Sequence, residues 1–273
     1  MPVQSLSMIR VAKPWGRRRL WPGFADPAPG EEPVGEIWFD APGEDPELLV
    51  KYLFTSERLS IQVHPDDAAA RAAGFPRGKD EAWVILAAED DARIALGTRM
   101  PLSREALRAA ALDGSIEQLM DWKPVNAGDV IYSPAGTIHA IGAGLTLVEV
   151  QQNVDLTYRL YDYGRPRPLH LDEGLAVADA RPFDVPPPPL PGADGRTLLV
   201  GEGKFLMERW DWHGVRNLEL RAPGWLVPLA GSGDAGGVAL MPGACVLLRD
   251  LARISLEPGS AALFASPLPF VLA

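Results

Sequence analysis

The fold of the chain is decided by one segment, Gly128-Asp129-Val130-Ile131-Tyr132-Ser133-Pro134-Ala135-Gly136-Thr137-Ile138-His139. A β-branched run comes first, and Pro134 and Gly136 then form a tight turn. Proline presets its own backbone angle, and glycine accepts conformations that other residues avoid. His139 therefore leaves the turn in a fixed direction. The segment predicts two strands joined by a turn that holds the imidazole of His139 in a defined direction.

A second donor pair lies upstream in Ser60-Ile61-Gln62-Val63-His64-Pro65. Side chains alternate between the two faces of a strand, so Gln62 and His64 point the same way. An amide oxygen and a neutral imidazole are both competent metal ligands. Taken alone, this pair also fits a polar surface or a hydrogen-bonded core histidine.

Glu81 opens the apolar run Glu81-Ala82-Trp83-Val84-Ile85-Leu86. A carboxylate at the start of a buried strand needs a partner, although an exposed strand edge is the alternative. Together with the two histidines and the amide it completes a four-ligand set, which comprises Gln62, His64, Glu81 and His139. Imidazole and carboxylate ligands suit zinc best, so we predict one Zn²⁺ per chain.

The rest of the chain reads as mainly β. Glycine and proline contribute 27 residues each and punctuate short β-branched runs. Predicted strands are 58–64, 81–87, 92–97, 129–133 and 145–152. Short helices are predicted from Asp45-Pro46 to Leu53, over 66–73 and over 103–112 before Gly114, with a capping box of Ser115 and Gln118 starting another.

The run 186–189 consists of four prolines, and 190–195 continues it with proline and glycine, a composition that predicts a linker unable to continue a sheet. The predicted division is therefore a domain over 1–185, a linker over 186–195 and a smaller β domain over 196–273. The stretch 259–267 repeats the turn-strand-turn layout of the first half without a histidine, so the second domain is predicted to be metal-free.

Composition excludes several classes of partner. The formal net charge of -10 opposes nucleic acid, and the short basic run 17–19 is interpreted as a solvated loop. No apolar stretch approaches the roughly 20 residues of a membrane span, and the first residues lack a signal-peptide core. The single cysteine, Cys245, fits a reducing compartment, so a cytoplasmic location is predicted. The sequence makes no prediction of oligomeric state.

The segment 128–139 resembles the second conserved motif of the cupin superfamily, in which glycine, five residues, proline, one residue, glycine and two residues precede a histidine. The usual asparagine after that histidine is Ala143 here. The resemblance implies a cupin jelly-roll barrel with short helices, followed by a second, smaller barrel or cupin-like domain.

Further motifs are similar, in order and spacing, to those of the short bacterial type I mannose-6-phosphate isomerases. They are Lys13-Pro14-Trp15-Gly16, Gly35-Glu36-Ile37-Trp38, Gln62-Val63-His64-Pro65-Asp66-Asp67, Gly78-Lys79-Asp80-Glu81-Ala82-Trp83, Glu149-Val150-Gln151-Gln152-Asn153 and Thr157-Tyr158-Arg159-Leu160-Tyr161-Asp162. The resemblance covers residues 11 to about 180. It implies a zinc enzyme that interconverts mannose 6-phosphate and fructose 6-phosphate by a 1,2 proton transfer through a cis-enediolate.

The same resemblance implies roles for individual residues. It places Gln62, His64, Glu81 and His139 on the zinc ligands and Lys79 and Arg159 on active-site positions. Lys79 either moves a proton or grips the phosphate, with metal-bound water as the other candidate base. Arg159 stabilises the enediolate or holds the phosphate. Asp155 and Trp15 are substrate-contact candidates, with a turn-capping role open for Asp155 and a plain core role open for Trp15.

Two features limit these implications. Some larger relatives carry a histidine where this chain has Gly78, so a mechanism that needs that base does not transfer, and His170 and His213 are interpreted as ordinary histidines. Two alternatives also stay open: a non-haem metal cupin oxygenase, which shares the two histidines and the carboxylate, and a non-catalytic sugar-binding cupin.

Overall fold

The computed structural model describes residues 2–41, 44–184, 189–192 and 194–268, which form mainly β-strands with four short helices. The strands are β1 (Val3–Ser5), β2 (Ser7–Arg17), β3 (Val34–Asp40), β4 (Leu48–Thr55), β5 (Ile61–Val63), β6 (Glu81–Ala88), β7 (Arg93–Thr98), β8 (Met120–Pro124), β9 (Val130–Ser133), β10 (His139–Ile141), β11 (Leu145–Gln152), β12 (Tyr158–Tyr161), β13 (Leu190–Pro191), β14 (Arg196–Val200), β15 (Phe205–Trp210), β16 (Gly214–Glu219), β17 (Gly224–Ala230), β18 (Gly233–Ala235), β19 (Val238–Leu240), β20 (Val246–Leu248), β21 (Leu251–Leu256) and β22 (Ala261–Pro267). The helices are α1 (Asp67–Ala72), α2 (Arg104–Asp113), α3 (Ile116–Leu119) and α4 (Leu171–Val177). None of these helices has the length and apolar character needed to cross a membrane.

Two antiparallel sheets face each other in the first part of the chain. The six-stranded sheet has the order β2-β3-β4-β11-β6-β9, and the five-stranded sheet has the order β12-β5-β10-β7-β8. Their inner faces share a core that includes Leu53 and Ile85 from the first and Ile94 and Ile141 from the second. The predicted mainly β, cupin-like jelly roll is confirmed. Pairing among the described residues leaves two separate sheets, a sandwich rather than a closed barrel.

The helix predicted from Asp45 to Leu53 is wrong, because this segment contains the central strand β4. β4 pairs with β3 and β11 and is buried on both faces, so its sequence is an apolar run without alternation. The expected N-cap is also occupied elsewhere: both oxygens of Asp45 accept hydrogen bonds from Arg77, each at 2.9 Å.

The other predicted helices are present as α1 and α2, capped by the side chains of Asp66 and Ser103. Gly114 ends α2 in the left-handed conformation that glycine favours. The predicted capping box does not form, because Ser115 has helical backbone angles and makes no side-chain cap. The helices cover the outer face of the five-stranded sheet, where Ile61, Val63 and the helix side chains form one core.

The later strands form two more sheets. The seven-stranded sheet has the order β1-β20-β17-β22-β15-β14-β13, and the four-stranded sheet has the order β16-β21-β18-β19. The seven-stranded sheet packs on the outer face of the six-stranded sheet, through a core that joins Tyr52 and Phe54 to Phe205 and Trp225. The four sheets are thus stacked. The second unit is a pair of sheets rather than the predicted barrel, and its lack of a metal stays a prediction.

The predicted linker lies partly outside the described residues, at 186–188 and 193. Leu190 and Pro191 form β13, which pairs with Leu198 and Thr197, so the expectation that the linker cannot continue a sheet is wrong. Proline is tolerated there because β13 is an edge strand. The division into domains stays a prediction, and β1, from the predicted first domain, pairs with β20 in the second unit.

Candidate metal centre

One row of inward-facing side chains crosses the five-stranded sheet. Arg159 on β12 is opposite Gln62 on β5, which is in turn opposite His139 on β10. The neighbours Ile61 and Val63 point outward into the helix-covered core. This alternation, predicted from the sequence, brings three polar groups from three strands to the inner face.

A second row crosses the six-stranded sheet and faces the first. Register places Trp38, Lys51, Glu149 and Trp83 opposite one another along β3, β4, β11 and β6. Glu149 accepts a hydrogen bond from the Trp83 indole at 3.1 Å, and its other oxygen lies 3.4 Å from the Lys51 ammonium. The Lys51 ammonium also lies over the Trp38 ring, 4.5 Å from its centre.

His64, Glu81 and His139 meet between the two rows, and one ligand atom from each lies within 4.8 Å of the others. Glu81 Oε1 is 3.0 Å from His139 Nε2, and Glu81 Oε2 is 3.4 Å from His64 Nε2. All three side chains are 1% exposed. The sequence prediction of converging donors therefore agrees with the geometry.

The backbone fixes which nitrogen each imidazole presents. His64 Nδ1 donates to the Leu156 carbonyl and His139 Nδ1 to the Thr137 carbonyl, each at 2.9 Å. Each Nε2 therefore carries the lone pair and faces Glu81. The Pro-Gly turn completes the arrangement, because Gly136 donates its N–H to the His64 carbonyl at 2.8 Å. The turn thus fixes the backbone of His64 relative to that of His139.

The Glu81 carboxylate is the strongest sign that a cation belongs here. Neither oxygen accepts a hydrogen bond of regular geometry from a described residue, although both are buried. Burial opposes the charge, but Lys79 holds the pKa of Glu81 well below its ordinary value. Burial and Lys79 lower the pKa of His64 to about 3, which keeps the ring neutral. Two imidazole Nε2 atoms beside an anionic carboxylate fit a divalent metal ion.

Gln62 lies beside this cluster with its amide turned the other way. Its Nε2 is 3.3 Å from His139 Nε2, and its Oε1 accepts a hydrogen bond from the Ser60 hydroxyl at 3.0 Å. Oxygen is the metal-binding atom of an amide, so ligation by Gln62 requires this group to rotate by half a turn. The structure places Gln62 within reach of the cluster but not in a ligand orientation.

Lys79 reaches into the same cluster from the segment before β6. Its ammonium is 3.0 Å from Glu81 Oε2 and 3.3 Å from His64 Nε2. Burial disfavours the charge, yet Glu81 and then Glu149 raise the pKa of Lys79 above its ordinary value. These two carboxylates therefore favour the ammonium form of Lys79 in this arrangement.

A cavity of about 450 Å³ lies between the two rows and holds the remaining predicted residues at its walls. Trp15, Gln62, Lys79, Asp155 and Arg159 all line it. Trp15 is buried, whereas Asp155 is exposed. His170 and His213 are not among the lining residues.

Only some of the side-chain donors of Arg159 are hydrogen-bonded within the protein. Its Nη1 donates to the Pro168 carbonyl at 2.8 Å, while its buried Nε has no described partner. Burial and the nearby Arg167 lower the pKa of Arg159 below its ordinary value. Arg167, also at the cavity wall, is engaged by both oxygens of Asp162 at 2.6 Å. Among the described arginines, Arg159 thus has a buried donor without a partner in the protein.

Sequence reasoning assigned no role to five charged residues of the cavity wall: Lys13, Glu36, Lys51, Glu149 and Arg167. A signal was present, because Lys51 and Glu149 each interrupt an apolar run of a buried strand, Leu48–Thr55 and Leu145–Gln152. Two opposite charges in two such runs predict a buried pair. The erroneous helix over 45–53 concealed it.

The backbone around position 78 leaves room for glycine but not for a residue with a Cβ atom. A Cβ at this position would lie 2.4 Å from the Asp66 carbonyl carbon and 2.6 Å from the Asp67 nitrogen. The contacts are with backbone, so they cannot be relieved by a side-chain rotation. Glycine here lets the segment that carries Lys79 approach the segment that follows His64.

No family model matches the chain. A curated mannose-6-phosphate isomerase from Streptococcus mutans is 38% identical over 196 residues, which cover 68% of this chain and 61% of that relative. The chain thus covers less than two thirds of this relative's length.

Two solved structures share the fold over nearly the whole chain. A mannose 6-phosphate isomerase from Bacillus subtilis has a TM-score of 0.82 at 24% identity, covering 97% of this chain and 99% of its own. A zinc-bound mannose 6-phosphate isomerase has a TM-score of 0.76 at 16% identity, covering 98% of this chain and 100% of its own.

Proposed function

Because the chain is homologous to curated mannose-6-phosphate isomerases and shares their cupin fold, we propose that it interconverts mannose 6-phosphate and fructose 6-phosphate. The observation that carries the proposal is the position of Lys79, which contacts Glu81 and His64 of the metal-competent cluster and lines a cavity of about 450 Å³ together with Arg159. A sugar phosphate needs an electrophile at its carbonyl end, a proton carrier beside it and a cation at its phosphate.

We assign the metal to His64, Glu81 and His139, with Gln62 as a fourth ligand after rotation of its amide. Zinc is the ion we propose, since two imidazoles and a carboxylate suit it and one structural neighbour is zinc-bound. When bound, the ion would polarise the substrate carbonyl as a Lewis acid. The ligand cluster is already held by backbone bonds to both imidazoles.

Lys79 and Glu149 are the groups we assign to proton movement. Lys79 lies against Glu81 as an ammonium and is placed to give a proton. Burial and then Glu81 raise the pKa of Glu149, so its carboxyl can take or give a proton nearer to neutrality. The pair thus offers an acid and a base at one wall of the cavity.

Arg159 is the phosphate ligand we propose. Its fork of donors suits a phosphate oxygen pair, and its Nε has no described partner. Asp155, which also lines the cavity, is assigned to accept a hydrogen bond from a sugar hydroxyl, and buried Trp15 is a further lining residue. Remote binding of the phosphate would orient the reacting carbons.

The proposal is tested by following fructose 6-phosphate formation from mannose 6-phosphate with the purified protein. We expect turnover that a chelator abolishes and zinc restores, and that His139→Ala removes. His213→Ala is the matched control, since His213 is exposed and outside the cavity. A folded, zinc-loaded protein without turnover would refute the proposal and favour the oxygenase or the sugar-binding cupin.

A further inference from the structure

Lys79 and Glu81 are carried by an irregular segment between α1 and β6, and its backbone is held from outside the segment. Three successive N–H groups, those of Gly78, Lys79 and Asp80, donate to Asp67 Oδ1 at 2.8 Å, the Pro65 carbonyl at 3.0 Å and Gln152 Oε1 at 3.0 Å. The direction of both functional side chains therefore depends on these three acceptors.

Asp67, one of the three acceptors, is hydrogen-bonded to a second one, Gln152. Its Oδ1 accepts from the Gln152 amide at 3.0 Å as well as from Gly78, so it also orients the amide that holds Asp80. Its Oδ2 accepts from the ammonium of Lys204 at 2.7 Å. Lys204 lies in the turn between β14 and β15, in the unit that contributes no residue to the cavity wall.

The same turn reaches the segment by a second route. The Tyr132 hydroxyl donates to Asp80 Oδ2, and the backbone amide of Lys204 interacts with that hydroxyl. Tyr132 also packs edge-on against Phe205, with ring centres 5.9 Å apart. The turn passes so close that a Cβ on Gly203 would lie 1.8 Å from the Tyr132 hydroxyl. Lys204 thus contacts both Asp67 and Tyr132, which hydrogen-bond to the segment.

We propose that the turn 201–204 is a positioning device for the metal centre and that Lys204 is a positioning residue for Lys79 and Glu81. The inference rests on the proposed function for its effect on turnover. The second unit would then act on the reaction without lining the cavity: its turn fixes Asp67 and Tyr132, which fix the backbone that aims the two side chains.

The test uses Lys204→Met, which keeps the aliphatic stem and removes the charge. The matched control is Arg249→Met, because Arg249 also links the second unit to the first, through Glu44, without touching the segment. Hydrogen exchange of the amides of residues 78–80 is measured together with kcat and KM. We expect faster exchange at these amides and a fall in kcat of about tenfold with KM changed less than twofold.

Two further variants test whether the effect depends on the ion pair between Lys204 and Asp67. Lys204→Arg should restore both exchange protection and kcat, because it keeps the ion pair with Asp67. Asp67→Ala should cost more than Lys204→Met, and the double variant should cost no more than Asp67→Ala alone. Unchanged protection of the amides of 78–80 in Lys204→Met overturns the inference. Absence of turnover in the wild type would instead refute the proposed function, while the exchange measurement would still decide the positioning role.

Discussion

Lys51 and Glu149 stand directly opposite each other on β4 and β11, with their charged ends 3.4 Å apart and 5% and 4% of their surfaces exposed. Both face the cavity rather than the apolar core behind the sheet. A buried ion pair at a cavity wall is costly unless each charge keeps its partner.

Removing one member of this pair should therefore destabilise the protein. We expect Lys51→Met to lower the free energy of unfolding by about 3 kcal/mol, because Glu149 would be left beside Glu81 with less compensating charge. Denaturant unfolding of the chelator-treated protein measures this change in the free energy of unfolding. Lys51→Met/Glu149→Gln should be less destabilised than the sum of its single variants. Additive costs would show that the two charges are not coupled.

Gln62 should contribute to metal affinity only through its oxygen. Gln62→Ala is expected to weaken zinc binding at least about tenfold, measured by competition with a chromophoric chelator. Ser60→Ala should leave the affinity unchanged or raise it, because the Ser60 hydroxyl holds the Gln62 oxygen away from the cluster. If Gln62→Ala binds zinc as tightly as the wild type, the centre has three protein ligands.

Gly78 should not tolerate a side chain. Gly78→Ala is expected to lower the free energy of unfolding by about 2 kcal/mol or more and to weaken zinc binding, since backbone atoms must move. Gly74→Ala is the control: it has open space but a positive φ, so only about 1 kcal/mol is expected and no change in zinc binding. Equal effects of the two substitutions would show that close backbone packing at Gly78 is not the cause of the loss of stability.

Asp67 should contribute to stability in a defined pH range. Its partial burial opposes ionisation, but the bond from Lys204 and those from Gly78 and Gln152 lower its pKa to about 2. Its contribution is present above the unfolded value of about 3.9 and is lost as the pH falls toward the folded value.

We therefore expect chelator-treated wild type to lose more stability than Asp67→Asn between pH 5 and pH 3, in denaturant titrations at each pH. The difference should be small, because the Lys204 pair is partly exposed and screened by solvent. Parallel curves for the two proteins would show that Asp67 is not ionised preferentially in the folded state.

The parts of the site that could be predicted from the sequence are those set by local geometry. The turn before His139 and the alternation that pairs Gln62 with His64 depend on a few consecutive residues. Helix α2 was likewise predicted from its own cap and its terminal glycine.

The parts that could not be predicted depend on partners distant in the chain. β4 is a strand because β3 and β11 flank it, although Asp45-Pro46 resembles a helix start. The orientation of the Gln62 amide depends on Ser60 and His139 together. The role of Lys204 follows from a contact with Asp67 across 137 positions, which no local pattern reveals.

The pairing of β1 with β20 has a consequence for the order of folding during synthesis. β1 is synthesised long before its partner Val246–Leu248, because the two strands lie far apart in the chain. Until then the edges of β1 have no strand to bind, and the seven-stranded sheet that covers the outer face of the six-stranded sheet is incomplete. The residues up to β20 must therefore be synthesised before this sheet closes, and the nascent chain must keep β1 from pairing with a wrong edge in the meantime.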